Sequence, residues 1–245
     1  MQGPAHEAGQ AALGAPVALA ARETLSYRVE WRLIRAGAAT LSWEAAPEGT
    51  PHQWQASLRL ESTGLVSRLY KVEDHYVAQL DSGLCAVSSL LKAHEGGRRR
   101  ETSVTFDGGS RKASYLERDV VKNNVVRSVE IDIPPCVHDV VGGLFVLRKM
   151  RLEPGEQAQI PISDGKKSVS ARIEAQARET VTTPTGTHKT IRYEAFLFNN
   201  VLYKRPGHLY VWLTDDARRL PVQIRVRLQF HIGTLTFQLE KEERT

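Results

Sequence analysis

Hydrophobic and polar residues alternate with a period of two along most of this chain. In the first such segment Leu25, Tyr27, Val29 and Trp31 are separated by polar residues, as expected for a strand with one buried face. The longest run lies near the C-terminus, where the apolar positions are Val222, Ile224, Val226, Leu228, Phe230 and Ile232. Turn residues recur roughly every 10 positions, which predicts about a dozen short antiparallel strands.

The order of these elements indicates the fold class. Turns are predicted at Gly37, Glu95–Arg98 and Asp107–Ser110, and strands follow strands without the regular helices of a βαβ fold. We therefore expect a mainly β protein: a large antiparallel sheet, curled or forming an open barrel, with one or two short helices.

Two segments break the period of two. Ser62–Tyr70 has apolar residues at helical spacing, which predicts a short helix or an ordered loop. His138–Arg151 has the clearest helical pattern, interrupted by Gly142–Gly143. Each glycine costs a helix about 1 kcal/mol, and the pair would allow another element to approach closely. We expect Asp139 to cap or charge the first turn of this helix and Arg148 to pair with a strand carboxylate.

The N-terminus differs from the rest of the chain. Residues 1–23 are rich in Ala, Gly and Pro and hold no Lys or Arg before Arg22, so they lack the basic start of a signal peptide. Either a signal has been removed from a mature chain, or the protein is cytosolic with a loose tail. We expect residues 1–23 to be a flexible tail and residues 24–245 to form a single β-rich domain.

Composition narrows the function classes. The 33 Lys and Arg residues stand against 28 Asp and Glu, a net charge of +5 spread along the chain. This scattered charge argues against a nucleic-acid partner, and no apolar run approaches the ~18 residues of a transmembrane helix.

The two cysteines, Cys85 and Cys136, permit one disulfide in an oxidising compartment or two buried thiols. Cys136 lies two positions before His138, but residues two apart on a helix do not face each other. We therefore do not interpret the pair as a thiol nucleophile with its base.

The sequence contains none of the common patterns for metals, nucleotides or hydrolytic serines, such as HExxH, GxGxxG, Walker A or GxSxG. Asp215–Asp216 is interpreted as a polar turn rather than a cation site. We predict no metal ligands, no cofactor and no catalytic residues.

Several short segments, in order along the chain, resemble one bacterial family known as a domain of unknown function, number 3108. They are Ala36–Ala38, Glu95–Arg98, Leu144–Arg148 with Asp139 before it, Thr182–Thr187, Val211–Asp216 with Arg219–Val222, and Ile232–Leu235. The resemblance covers roughly Leu25 to Leu239. It implies an exported, periplasmic or lipoprotein-like setting and an antiparallel β fold similar to the open barrels of lipoprotein carriers. It implies no activity.

Aromatic residues offer the best functional hypothesis. Trp31, Trp43 and Trp54 lie on the apolar faces of successive strands, and Tyr210 and Trp212 share a face of a later one. In a curled sheet they would line an apolar pocket; the alternative is an ordinary packed core.

We expect a non-enzymatic, exported protein that binds an apolar or amphiphilic, lipid-like ligand. Two alternatives stay open. One is a cell-envelope assembly or protein-interaction module with a packed core. The other is a hydrolase of envelope polymers, which would need paired carboxylates in a cleft.

Overall fold

The computed structural model describes residues 19–229 and 233–245. The strands of the N-terminal half are β1 (Arg22–Trp31), β2 (Ile34–Ala45), β3 (Trp54–Ser62), β4 (Val72–Leu80), β5 (Ala86–Glu95), β6 (Arg98–Asp107), β7 (Lys112–Asp119) and β8 (Asn124–Asp132). Those of the C-terminal half are β9 (Gln157–Ser163), β10 (Ser168–Thr183), β11 (Gly186–Ala195), β12 (Gly207–Thr214), β13 (Pro221–Leu228) and β14 (Thr234–Arg244). The two helices within the described ranges are α1 (Gly64–Leu69) and α2 (Val140–Lys149).

All fourteen strands belong to one antiparallel sheet. Its order is β8-β7-β6-β5-β4-β3-β2-β1-β14-β13-β12-β11-β10-β9, so the first strand pairs with the last. The edges are β8 and β9, which do not pair with each other. This confirms the predicted class, a mainly β fold with a curled sheet that stays open.

The predicted turn at Gly37 is wrong. The β1–β2 turn consists of Arg32 and Leu33, whose φ angles are 49° and 71°, and Gly37 lies inside β2. There its missing side chain matters, because a Cβ would collide with the backbone carbonyl of Glu61 on β3. The glycine allows a close strand approach rather than a reversal of the chain.

The first strand begins two residues before the predicted domain boundary at residue 24. β1 begins at Arg22, and Glu23 is buried. Leu19 packs on the core, and the carbonyl of Ala20 accepts a hydrogen bond of 3.2 Å from the indole of Trp43. Residues 1–18 of the predicted tail, and Phe230 and Ile232 of the last long run, lie outside the described residues.

Helix α2 packs against the concave side of the sheet. Phe145, Leu147 and Arg148 are buried, and the helix contacts β3, β4 and β9. A Cβ on Gly142 would lie 3.2 Å from Leu80, and one on Gly143 would lie 2.6 Å from Ile162. The two glycines therefore let the helix lie close to both halves of the sheet, at the expense of helix propensity.

The gap between the sheet edges is covered by the segment before α2. His138 forms a single parallel bridge to Ile162 of β9, with backbone hydrogen bonds of 2.9 Å to Pro161 and from Ser163. The β9–β10 turn packs on the opposite half of the sheet, where a Cβ on Gly165 would lie 2.6 Å from Val104. Neither helix in the described part of the chain is long and apolar enough to cross a membrane.

Candidate functional site

Two adjoining cavities flank the first turn of α2. Their volumes are about 360 Å³ and about 290 Å³, comparable with the smaller sites that hold small molecules. Leu58, Val140, Val141 and Tyr203 line both cavities. The start of the helix and the β11–β12 loop therefore separate two parts of one hollow region.

The smaller cavity, here called the apolar cavity, is lined by hydrophobic and aromatic side chains. Besides the shared residues it is bordered mainly by β1, β2, β12, β13 and β14, through Tyr27, Leu41, Val211, Ile224 and Phe237 among others. Tyr27 directs its hydroxyl away to the carbonyl of Pro221, at 2.8 Å, and burial raises its pKa. The lining therefore offers a ligand almost only apolar contact.

The larger cavity, here called the polar cavity, is lined by both apolar and polar side chains. Leu60, Leu91 and Val104 supply apolar surface, whereas Asp74, Ser89, Thr102, Ser163, Asp164 and Lys166 supply hydrogen-bonding groups. Lys166 Nζ lies 3.6 Å from Asp164 and 5.0 Å from the ring centroid of Tyr115. Burial raises the pKa of Asp74.

Asp139 fixes the start of α2 between the cavities. Its carboxylate accepts hydrogen bonds from the backbone N–H groups of Val141 at 2.9 Å and Gly142 at 3.0 Å. It accepts a third from the hydroxyl of Tyr76 at 2.8 Å. Burial is the main cause that raises the pKa of Asp139 and of Tyr76. Asp139 is thus the helix cap, and it also positions a tyrosine that lines the polar cavity.

A disulfide holds the segment that leads into this cap. Cys85 and Cys136 are joined, with their Cα atoms 5.1 Å apart. The buried ring of His138 is hydrogen-bonded through Nδ1 to the carbonyl of Leu84 at 2.7 Å. Both contacts fasten the start of α2 to the β4–β5 loop. A nucleophilic role for Cys136 is excluded while its sulfur is in the bond.

Arg148 holds the other end of α2. Its guanidinium forms a two-pronged ion pair with Glu23 of β1, at 2.5 and 3.0 Å. It also donates to the carbonyl of Arg219 at 3.1 Å, and Arg219 donates back to the carbonyl of Arg148 at 2.9 Å. Glu23 is the strand carboxylate expected for Arg148.

The five aromatic residues proposed as a pocket lining lie elsewhere. Trp43 is fully buried and stacks on Trp54 and Phe145, with ring centroids 4.6 and 4.4 Å apart. The two tryptophans thus support α2 rather than border a cavity. Trp31 ends β1, with the guanidinium carbon of Arg32 at 5.4 Å from its ring.

Tyr210 and Trp212 share a face of β12, as the alternation indicates, but the cavity lies on the other face. Leu209 and Val211 line the apolar cavity. The indole of Trp212 donates to Glu179 at 2.8 Å, and Arg225 lies 5.1 Å from its ring. The polar partners of the indole explain its position: a lining of aliphatic side chains would leave its N–H without an acceptor.

Sequence reasoning missed Tyr203, which is central to the site. It lies in the loop after β11, where no alternation applies, and burial raises its pKa. Tyr27, Leu41 and Phe237 were on predicted apolar faces, but the pattern does not indicate which apolar positions border a void. Ala171 and Ala175 are fully buried in the packed core of the C-terminal half and line neither cavity.

Within residues 19–229 and 233–245 no cluster of His, Cys, Asp or Glu could hold a metal ion. Asp216 instead organises its own turn, accepting hydrogen bonds from Thr214 and from the backbone of Arg218 and Arg219. Asp215 pairs with Arg178 at 2.8 Å.

Three solved structures are similar to this chain over most of its length. A β-barrel-like protein of the domain of unknown function DUF1849, from Brucella abortus, is 8% identical with a TM-score of 0.58, covering 92% of this chain and 98% of that one. A candidate exported protein with a YmcC-like fold from Bacteroides fragilis is 12% identical, with a TM-score of 0.33 and coverages of 91% and 95%. A candidate lipoprotein from Parabacteroides distasonis is 10% identical, with a TM-score of 0.32 and coverages of 93% and 97%.

The first of these structures shows the barrel-like fold, and at this identity it shows the fold alone. No curated protein matches the chain. The family model described as a protein of unknown function, DUF3108, matches residues 26–240. This match includes all or most of every strand together with α2 and the lining of both cavities, and the chain therefore belongs to the DUF3108 family.

Proposed function

We propose that this protein binds an apolar or amphiphilic molecule, such as a fatty acyl chain, in the two cavities beside α2. The observation that carries the proposal is the apolar cavity of about 290 Å³, which lies against a second cavity with carboxylates and a lysine in its wall. An acyl chain in the first would gain about 0.8 kcal/mol per buried CH₂. A polar end group would meet hydrogen-bonding partners in the second.

The framework around the cavities supports this proposal. α2 is fixed at its start by the Asp139 cap and at its end by the Arg148–Glu23 pair. A helix held at both ends keeps Val140 and Val141 in the cavity walls, so the hollow is formed before a ligand arrives. A preformed site binds more tightly, since little ordering remains to be done on binding.

The disulfide supports an exported setting. A bond between Cys85 and Cys136 is stable in oxidising compartments and rare in the cytosol. We infer that the protein works outside the cytoplasm, which agrees with the setting implied by the family resemblance. Alkylation of unfractionated cells, followed by intact mass measurement, tests this inference. We expect both cysteines to stay unalkylated because they are joined in the disulfide, and two alkylated cysteines would contradict the inference.

Binding can be tested directly on the purified chain with a fluorescent fatty acid, cis-parinaric acid, together with native mass spectrometry for ligands that copurify. Val141→Trp fills space in both cavities and should weaken probe binding by about tenfold or more. Val126→Trp is the matched control, because Val126 is exposed on β8. Circular dichroism checks that both variants fold.

Two results would overturn the proposal. The first is a folded wild-type protein that neither carries nor takes up an apolar ligand. The second is equal probe binding by wild-type, Val141→Trp and a further cavity variant, Leu58→Trp.

A further inference from the structure

Exposed apolar residues gather at one end of the sheet. Among the described residues the exposed large hydrophobic side chains are Leu33, Ile34, Leu65, Leu69, Tyr70, Val120, Val121, Val125 and Val126. All nine belong to the β1–β2 turn, the α1 segment, the β7–β8 turn or the strand residues next to these connections. Because neighbouring strands are antiparallel, these three connections lie at the same end.

Contacts link the connections at this end, here called the rim: residues 32–33, 63–71, 96–97, 120–123, 164–167, 196–206, 229 and 233. In the N-terminal half, Val120 donates a backbone hydrogen bond to Arg99, and Gly96 donates one to Lys71. In the C-terminal half, Gln229 donates one to Pro206, and the ammonium of Lys167 reaches the carbonyl of Asn200 at 2.8 Å. The two halves meet where Gly233 packs on Arg32.

The rim is strongly basic. Its charged residues are one acid, Asp164, and eight bases, Arg32, Arg68, Lys71, Lys122, Lys166, Lys167, Lys204 and Arg205. The connections at the opposite end, with α2 included as α1 is at the rim, carry seven acids and six bases. The acids are Glu48, Asp81, Asp139, Glu153, Glu156, Asp215 and Asp216, and the bases are Arg111, Arg148, Lys149, Arg151, Arg218 and Arg219. The charged residues are scattered along the sequence, but in the folded sheet the two ends differ in net charge.

Local structure at the rim departs from what stability alone would favour. The β1–β2 turn places Leu33 in the left-handed region with 91% of its surface exposed, where Asn or Gly is usual. Helix α1 contains the apolar residues Leu65, Val66 and Leu69, yet none of them is buried. The tip of the β7–β8 turn holds Val120 and Val121 in place of the Gly, Asn, Asp, Ser or Pro that turns usually contain.

We propose that the rim docks on the surface of a lipid bilayer that contains anionic head groups. At three separate connections an exposed apolar side chain lies beside a basic one: Leu33 by Arg32, Leu69 by Arg68, and Val121 by Lys122. Apolar tips that enter the head-group region, with cations against anionic lipids, are the features of interfacial binding. A protein interface would instead favour an apolar centre depleted of charge.

The rim is also the end nearest the polar cavity. Asp164 and Lys166 of the β9–β10 turn and Tyr203 of the β11–β12 loop belong to the rim connections and line that cavity. Docking would therefore bring the cavity to the membrane surface. The docking proposal is nevertheless independent of ligand binding, because a rim can dock whether or not the cavity holds an acyl chain.

Vesicle cosedimentation of the full chain tests the proposal, with vesicles of phosphatidylcholine alone or mixed with phosphatidylglycerol. We expect binding only to the mixed vesicles. Arg68→Glu/Lys122→Glu should lower the partition coefficient by about tenfold or more, and Leu33→Ser/Leu69→Ser/Val121→Ser by a similar factor. Arg111→Glu/Arg151→Glu makes the same change of net charge at the opposite end and should bind as wild-type does.

The proposal is overturned if the chain does not bind the mixed vesicles, or if the rim and opposite-end variants weaken binding equally. It is also overturned if the rim is covered by protein: sedimentation velocity would then show a dimer that the triple Ser variant dissociates. All substituted residues are exposed, so the variants should fold, and the cis-parinaric acid assay reports on the cavity separately.

Discussion

Arg148 in α2 and Glu23 in β1 form a buried ion pair, with 2% and 3% of their side chains exposed and N–O distances of 2.5 and 3.0 Å. The two residues are 125 positions apart in sequence. The pair joins the helix between the cavities to the first strand of the sheet. The guanidinium of Arg148 has further hydrogen-bond partners, since it also donates to the carbonyls of Arg218 and Arg219.

Removing one partner of this pair should be costly. Glu23→Ala leaves a buried guanidinium without its counter-ion, and we expect the free energy of unfolding to fall by about 3–5 kcal/mol. The exposed pair Lys241–Glu243 provides the control, because Glu243→Ala should cost less than about 1 kcal/mol. Urea unfolding measures both, and similar losses for the two variants would contradict the prediction.

The disulfide should contribute strongly to stability. Cys85 and Cys136 are separated by 51 positions, and closing a loop of that size stabilises the folded chain by about 4 kcal/mol. Cys85→Ser/Cys136→Ser should lose most of this, and a reductant should shift the urea midpoint of the wild-type protein but not of the variant. Equal midpoints for oxidised and reduced wild-type protein would show that the bond adds nothing.

Asp139 should make the folded protein less stable as the pH rises, the opposite of what a paired surface carboxylate does. Burial raises its pKa in the folded state above the ordinary 3.8, so ionisation opposes folding. The cost is absent below pH 3.8 and appears as the pH rises through the raised pKa. The stability of wild-type protein relative to Asp139→Asn should therefore decline with rising pH over this window.

Urea unfolding at a series of pH values measures this difference, in which the other titrating groups cancel. A difference that stays constant, or that grows with pH, would exclude the assignment. Asp139→Ala should be less stable than Asp139→Asn at every pH, by about 1–3 kcal/mol, because it removes the helix cap and the partner of Tyr76.

Gly37→Ala should destabilise the sheet by several kcal/mol. Its Cβ would overlap the backbone of Glu61 and Ser62, and a backbone neighbour gives way only if β2 and β3 separate. The control is Gly97→Ala in the β5–β6 turn, where a Cβ meets no atom within 4 Å. Thermal unfolding compares them, and a Gly37→Ala variant as stable as the control would mean that the strands adjust freely.

Much of the sheet was predictable because antiparallel hairpins are local in sequence. The strand through Leu25, Tyr27, Val29 and Trp31 and the turn at Glu95–Arg98 follow from alternation and turn chemistry alone. Glu23 was missed although it is in phase with Leu25 and Tyr27. A charged residue on an apolar face usually marks the end of a strand, and only the fold shows that a helical arginine meets it.

The cavities could not be predicted in the same way. Alternation assigns Leu41 or Trp43 to the inner face, but whether such a side chain meets packed atoms or empty space depends on how far the sheet curls. Trp43 meets Phe145, whereas Leu41 borders the apolar cavity. The basic charge of the rim could not be predicted either. Its basic residues come from connections that are far apart in sequence, and only the antiparallel order of the strands brings them to one end of the sheet.

The open edge between β8 and β9 determines where the sheet could open to admit the proposed ligand. A closed barrel must break a ladder of strand hydrogen bonds to widen. This seam is instead crossed by the 133–139 segment, where the backbone N–H of His138 donates to Pro161 of β9 and the carbonyl of His138 accepts from Ser163 of β9. Opening the seam would therefore break these two backbone hydrogen bonds and the packing of the β9–β10 turn on Val104, but no ladder between two strands. The same segment carries Cys136, and the covalent bond to Cys85 keeps it attached to the N-terminal half, so a separation at the seam would fall between this segment and β9.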